Sequence, residues 1–253
     1  MKRIFACILI GALLVCMAGC VTEPDIHGTI IPNASQPSTP SEPATPSLEP
    51  STPSSEPSIP SAPSDPSLSL GDFEGGIYVN EYAGLRCKLD SGWTFYSAEQ
   101  LQELPDAVKD ALDDSALKDY LEKSTQIMDM MAENLEDLTV INLLYMKLSL
   151  TEQLLYASMT EEQIIDNLLA QSDLLTDSYA QMGITVVELK KMTVTFLGQT
   201  RYALWMKSLV SGVNYYTLQL HDYTHGAYSV TVTCASYLED NTLSLLPLFE
   251  KLD

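Results

Sequence analysis

Basic residues and histidines are scarce in this chain of 253 residues. It has 13 Lys and Arg against 34 Asp and Glu, and its formal net charge is −21. A surface of this sign repels phosphate backbones, so we expect no nucleic-acid partner. The only histidines are His27, His221 and His225. The sequence also lacks the G-x-S-x-G, H-E-x-x-H, Walker and dinucleotide-binding motifs, so we predict no catalytic residues and no cofactor.

Long apolar runs are absent except at the N-terminus. Lys2 and Arg3 precede an apolar run over residues 4–17, and small residues lead to Cys20. This layout predicts a secretion signal over residues 1–19, because about 20 apolar residues are needed to span a bilayer. Residues 17–20, Met-Ala-Gly-Cys, resemble the lipobox of bacterial lipoproteins, which implies a diacylglyceryl group on Cys20. The expected localisation is extracytoplasmic, with the membrane as a partner through this lipid. A cleaved ordinary signal and an uncleaved anchor remain as alternatives.

Large apolar side chains are almost missing from residues 23–70. Ten prolines recur there every three or four residues, from Pro37 to Pro66, among Ser, Thr and Glu. Such a segment cannot bury enough surface to fold, and this proline spacing favours extended polyproline II. We therefore predict a disordered, lipid-anchored Pro/Ser-rich tether over residues 20–70. The alternative, a ligand for an SH3-like domain, is disfavoured because P-x-x-P motifs such as Pro37 to Pro40 have no flanking Arg or Lys.

Few cysteines remain for the folded part. Cys7 and Cys16 leave with the signal and Cys20 takes the lipid, so only Cys87 and Cys234 belong to residues 71–253. Both continue the inward-facing set of an alternating strand. A disulfide is chemically allowed outside the cytoplasm, but we expect two buried free thiols.

Residues 71–253 have the length of one domain, and their periodicity alternates between strand and helix. Ser97 with Gln100, and Thr160 with Gln163, match helix capping boxes. Pro105 is expected to start a new helix, because a proline inside a helix removes a hydrogen bond. We predict strands at 84–90, 93–96, 126–132, 138–148, 186–196, 202–210, 213–220 and 228–235, a long helix at 161–182, and a final helix around 245–249. This order indicates an α+β fold, an α/β/α sandwich with a central antiparallel sheet flanked by helices.

Nearly all of residues 71–253 resembles a known family. Asn-Glu-Tyr at 80–82, Gly-Leu-Arg-Cys-Lys-Leu at 84–89 and Gly-Trp at 92–93 are similar to the opening of PsbP/Mog-type (DcrB-like) domains. Leu-Gly-Gln at 197–199, Tyr-Ala at 202–203 and Tyr-Tyr at 215–216 follow in the order of that family. The resemblance implies an α/β/α sandwich and a binding or assembly role, and it carries over no catalytic residue.

One short segment combines metal-ligating residue types. His221, Asp222 and His225 lie within five residues and could supply ligands for Zn²⁺ or Cu²⁺. Strand alternation, however, sends His221 and Asp222 to opposite faces, which favours an ordinary exposed hairpin tip. We therefore expect a non-catalytic module that binds an extracellular protein or a small molecule. The alternative is a metal-dependent or hydrolytic cell-surface enzyme that uses the His221/His225 hairpin.

Overall fold

A computed structural model describes residues 68–111, 126–181 and 183–252, with residues 105–111 and 181 described by their backbone alone. The predictions of a signal segment, of lipid on Cys20 and of a tether up to residue 67 lie outside the described residues. Within the described residues, no helix is long and apolar enough to cross a membrane.

The described chain contains eleven strands, five α-helices and one 3₁₀ turn. The strands are β1 (Asp72–Glu74), β2 (Ile77–Asn80), β3 (Leu85–Lys88), β4 (Thr94–Phe95), β5 (Gln126–Asn134), β6 (Thr139–Lys147), β7 (Ile184–Phe196), β8 (Gln199–Val210), β9 (Val213–His225), β10 (Tyr228–Tyr237) and β11 (Phe249–Lys251). The helices are α1 (Ala98–Ala111), α2 (Leu150–Ala157), α3 (Glu161–Ala170), α4 (Ser172–Gln181) and α5 (Thr242–Leu245), and a 3₁₀ turn follows at Leu246–Leu248.

The larger sheet has seven antiparallel strands in the order β4-β5-β6-β10-β9-β8-β7. The four-strand meander predicted from alternation is confirmed, although each strand is longer than expected. Two of its three tight turns are Leu197-Gly198 and Ser211-Gly212, and all four of these residues have positive φ. Positive φ at both central residues defines the type I′ turn, whose twist matches that of the flanking strands. These two turns fix the register of β7, β8 and β9.

The two faces of the larger sheet carry different layers. Helices α1, α3 and α4 cover one face through buried apolar side chains that include Leu101, Leu104, Ile165, Leu168, Leu175 and Tyr179. A second sheet of four antiparallel strands, in the order β1-β2-β3-β11, covers the other face. Leu85 and Cys87 of that sheet are buried, and Arg86 and Lys88 between them are exposed. This alternation is typical of a sheet with one face on the core.

The predicted α/β/α sandwich is therefore wrong. The described residues are 51% strand and 25% helix, and they form two sheets rather than one sheet between helical layers. The physical reason is that the two ends of the domain pair with each other, with Phe249 opposite Cys87 in the register of β11 and β3. Strands of three or four residues at distant points of the chain thereby build a layer that the prediction assigned to helices.

Several helix predictions also need correction. Both capping boxes are confirmed, with Ser97 accepting from the Gln100 amide and Thr160 from the Gln163 amide. The long helix over 161–182 is instead two helices, separated at Gln171. Helix α1 continues through Pro105 rather than restarting there. The terminal helix is short, because Pro247 lies in the 3₁₀ turn that leads into β11.

Cys87 and Cys234 are both buried free thiols, as expected. Burial raises the pKa of Cys87 to about 12, and burial together with Cys87 raises that of Cys234. Neither thiol is therefore ionised or reactive in the folded protein.

Candidate functional site

The three residues singled out as metal candidates lie at one end of β9, which continues to His225. His221, Asp222 and the following turn residues line a cleft of about 920 Å³. Its opposite wall is helix α2, and its floor includes the start of β8. We call this space the hairpin cleft, since it lies between α2 and the β9–β10 hairpin. Three other cavities around the described residues are smaller, at about 740, 330 and 340 Å³.

The predicted exposed hairpin tip is wrong for His221, which lies within β9 and is buried rather than available as a ligand. Its side chain is 3% exposed, and its Nδ1 lies 3.2 Å from the Thr231 hydroxyl oxygen on the neighbouring strand. Its Nε2 has no hydrogen-bond partner among the described residues. Burial lowers the pKa of His221 to about 4, because a charged imidazolium would lose its hydration there. The ring is consequently uncharged at neutral pH.

Asp222 lies on the opposite face of β9 and is held by the turn that follows it. Its Oδ1 accepts hydrogen bonds from the Thr224 amide at 2.9 Å and the Thr224 hydroxyl at 2.6 Å. Its Oδ2 is 3.6 Å from His225 Nε2 and 3.7 Å from Arg201 Nη2. Burial alone would raise the pKa of Asp222, but hydrogen bonds from His225 and Thr224 lower it well below its usual range. The carboxylate is therefore ionised and already engaged.

The arrangement does not assemble the metal site that the sequence suggested as an alternative. His221 and Asp222 point to opposite faces, as strand alternation requires. Among the described residues, no three His, Cys, Asp or Glu side chains are grouped so that they could hold a metal ion.

Arg201 is the central residue that the sequence did not reveal. Its Nε donates to Glu161 Oε1 at 2.6 Å, and its Nη2 donates to the His221 carbonyl at 3.4 Å. The other oxygen of Glu161 accepts from the Tyr202 amide at 3.2 Å. Arg201 thus joins the first turn of α3 to β8 and β9. The side chains of Arg201 and Glu161 are 18% and 23% exposed, so this ion pair is largely shielded from solvent. It holds α3, β8 and β9 in place around the cleft.

The opposite wall of the hairpin cleft is apolar and open. Leu150 and Leu154 lie one turn apart on α2, and they are 77% and 76% exposed. Beside them the rings of Tyr156 and Tyr223 stack with centroids 4.0 Å apart, which ties α2 to β9. Exposed leucines at i and i+4 next to an aromatic pair form the kind of surface that takes an apolar partner group.

Outside the hairpin cleft, the buried carboxylate of Asp129 holds the two sheets together. It lies at the irregularity between Met128 and Met130 where β5 shifts register against β6. It accepts from the Gly71 amide at 3.0 Å, from Asn80 Nδ2 at 2.6 Å and from the Tyr78 hydroxyl. Burial raises the pKa of Asp129, although these donors oppose the rise. Three donors on one carboxylate fasten the smaller sheet to β5.

Comparisons with known proteins identify no family for this chain. No protein-family model matches the chain, and no curated protein matches it either.

Proposed function

We propose that this protein is an extracytoplasmic lipoprotein, anchored through Cys20, whose domain is a non-catalytic binding or assembly module. Its ligand is an apolar segment of another envelope protein, and the hairpin cleft is where that segment binds. The lipobox-like Met-Ala-Gly-Cys sequence and the proline-rich segment behind it support the anchored location. The resemblance to PsbP/Mog-type domains stays a prediction, and the α/β/α sandwich that it implies is not the fold of the described residues.

One observation carries the binding role. The charged groups of the hairpin cleft are engaged with one another, whereas its leucines are open. Arg201 is paired with Glu161 and lies beside Asp222, and His221 is buried and neutral. A hydrolase needs a nucleophile within reach of a base, and a metal enzyme needs several converging ligands. Exposed leucines need only a complementary apolar group, so binding fits this surface better than catalysis.

Photo-crosslinking in intact cells tests this proposal. A benzophenone amino acid is placed at Leu154 on the cleft wall, and in a matched control at Leu174 on α4, which is 62% exposed but outside the cleft. We expect a discrete crosslinked protein from position 154 that position 174 does not give. The same adduct should disappear when Leu150→Asp removes the neighbouring apolar contact. No adduct at 154, or identical adducts from both positions, would refute the binding role of the cleft.

The membrane anchor has its own test. Cells that express the full chain are fed an alkyne-labelled fatty acid, and the protein is examined for label and for membrane association. We expect Cys20→Ala to lose both, and Cys16→Ala, four residues earlier, to retain both. Label that persists in Cys20→Ala would show that the lipid is attached elsewhere or that the anchor is not a lipid.

A further inference from the structure

A second apolar cavity lies at the other end of the larger sheet. It has a volume of about 330 Å³ and is formed by the β5–β6 turn, the β8–β9 turn and the residue after β10. Leu135, Leu138, Val213 and Leu238 line it and are 58%, 41%, 37% and 56% exposed. We call this space the leucine groove. Its four exposed aliphatic side chains are grouped rather than scattered, which is the feature that separates a binding surface from ordinary surface leucines.

The backbone of the groove is held in a conformation that leucine does not favour. Leu138 has a φ of 52° and Leu238 a φ of 66°, in the left-handed region where glycine or asparagine is cheaper. Cross-strand bonds fix both places, because the Tyr237 amide donates to the Leu138 carbonyl and the Leu238 amide donates to the Asn214 carbonyl, each at 3.0 Å. These leucines are neither buried nor conformationally favoured. Strained backbone of this kind is enriched at active sites, ligand clamps and switch regions.

The charged residues that line the groove, lie in its turns or follow Leu238 are all acidic. Glu133 lines it, Glu136 and Asp137 lie between its two turn leucines, and Glu239 follows Leu238. Among the described residues that line the groove there is no Lys or Arg. An acidic rim around an apolar centre attracts a group that is apolar in the middle and cationic at its edges.

We propose that the leucine groove is a docking site for a basic amphipathic peptide segment, which places its apolar face between Leu138 and Leu238 and its Lys or Arg side chains on the acidic rim. The rim disfavours the other apolar occupants. It repels the carboxylate of a fatty acid, the headgroups of an anionic membrane and the same acidic rim on a second copy of the chain. The site is independent of the hairpin cleft, which lies at the opposite ends of β8 and β9.

Titration calorimetry on the whole protein tests the proposal with two peptides of equal length. One is an amphipathic helix of Leu and Lys, and the other replaces every Lys by Glu. The test variant is Leu138→Asn/Leu238→Asn, because asparagine tolerates the left-handed conformation and keeps the fold while removing the apolar surface. The matched control is Leu174→Asn on α4, which lies in neither cavity.

We expect one Leu/Lys peptide to bind per protein, with affinity that falls at higher salt, and no binding of the Leu/Glu peptide. The double variant should melt at the same or a higher temperature, yet bind at least about tenfold more weakly, whereas the control binds like the parent. Undiminished binding by the double variant would mean that the acidic surface alone attracts the peptide, and would overturn the proposal. Equal binding of the Leu/Glu peptide would overturn it as well. Binding of dodecanoate or of phosphatidylglycerol vesicles to the parent protein alone, or self-association of the chain, would also overturn it if the double variant loses that binding.

Discussion

Titration of His221 should make the protein less stable in mild acid. The unfolded chain binds a proton on this imidazole near pH 6.5, but burial lowers the folded-state pKa to about 4. Between these two pH values the unfolded state holds more protons, so the free energy of unfolding falls as the pH drops from 6.5 to 4 and this loss levels off below 4. The difference between the two pKa values, at about 1.4 kcal/mol per pH unit, corresponds to about 3 kcal/mol.

The measurement is a series of urea unfolding curves between pH 7 and pH 4, followed by the fluorescence of Trp93 and Trp205. His221→Gln keeps a neutral polar group at the site, so it should lack this loss of about 3 kcal/mol whatever its stability at pH 7. His225→Gln, four residues away at the end of β9, should retain it. Comparing variant with parent removes the contribution of Asp129, whose raised pKa makes stability rise as the pH falls and which is present in both.

Equal pH dependence in the parent and in His221→Gln would refute the reasoning, since it would mean that His221 is hydrated in the folded protein. Asp222 does not confuse the result. Its pKa is lowered, so its stabilisation is present above the ordinary aspartate pKa near 3.8 and is lost only as the pH falls further.

Three more substitutions or treatments test the packing. Both polar side-chain atoms of Asn142 are buried without a partner among the described residues, so Asn142→Leu should raise the free energy of unfolding by about 1 kcal/mol in urea titrations. A Cβ on Gly71 would overlap the buried ring of Tyr78, so Gly71→Ala should lower the free energy of unfolding by about 1–3 kcal/mol. An unchanged value would contradict the close packing of Gly71 and Tyr78 around Asp129. Iodoacetamide without reductant should label Cys87 and Cys234 only after unfolding, as read by mass spectrometry, and unlabelled cysteines in urea would reveal a disulfide.

The strands of the meander could be predicted from the sequence because they are long and their signals are local. Each of the four runs for ten residues or more, and two of the connecting turns contain the Gly that a type I′ turn needs. The capping boxes were predictable for the same reason, since all their partners lie within four residues. The two-sheet architecture could not be predicted from the sequence. Strand β11 has three residues and pairs with β3, which lies more than 160 residues away in the sequence. No local pattern in either segment predicts this pairing.

In the candidate site, too, the features with local sequence signals could be predicted and those that depend on distant residues could not. His221 and Asp222 were found by their types and correctly placed on opposite faces by alternation. Arg201 was missed because Glu161 and Asp222, the carboxylates around it, are 40 and 21 residues away and no local pattern connects them. The exposed leucines of α2 were missed because this helix has only eight residues, too few for a clear helical periodicity in the sequence.

The larger sheet separates the two proposed binding surfaces. Arg201 at the hairpin cleft and Val210 at the leucine groove belong to the same strand, β8, and lie nine residues apart. At about 3.3 Å per residue this distance is about 30 Å, so ligands at the two sites do not touch. Strand β8 is paired on both sides over most of its length, which keeps this separation fixed. A domain with two non-overlapping apolar surfaces can hold two partners at once, and this property favours an assembly role over the capture of one small molecule.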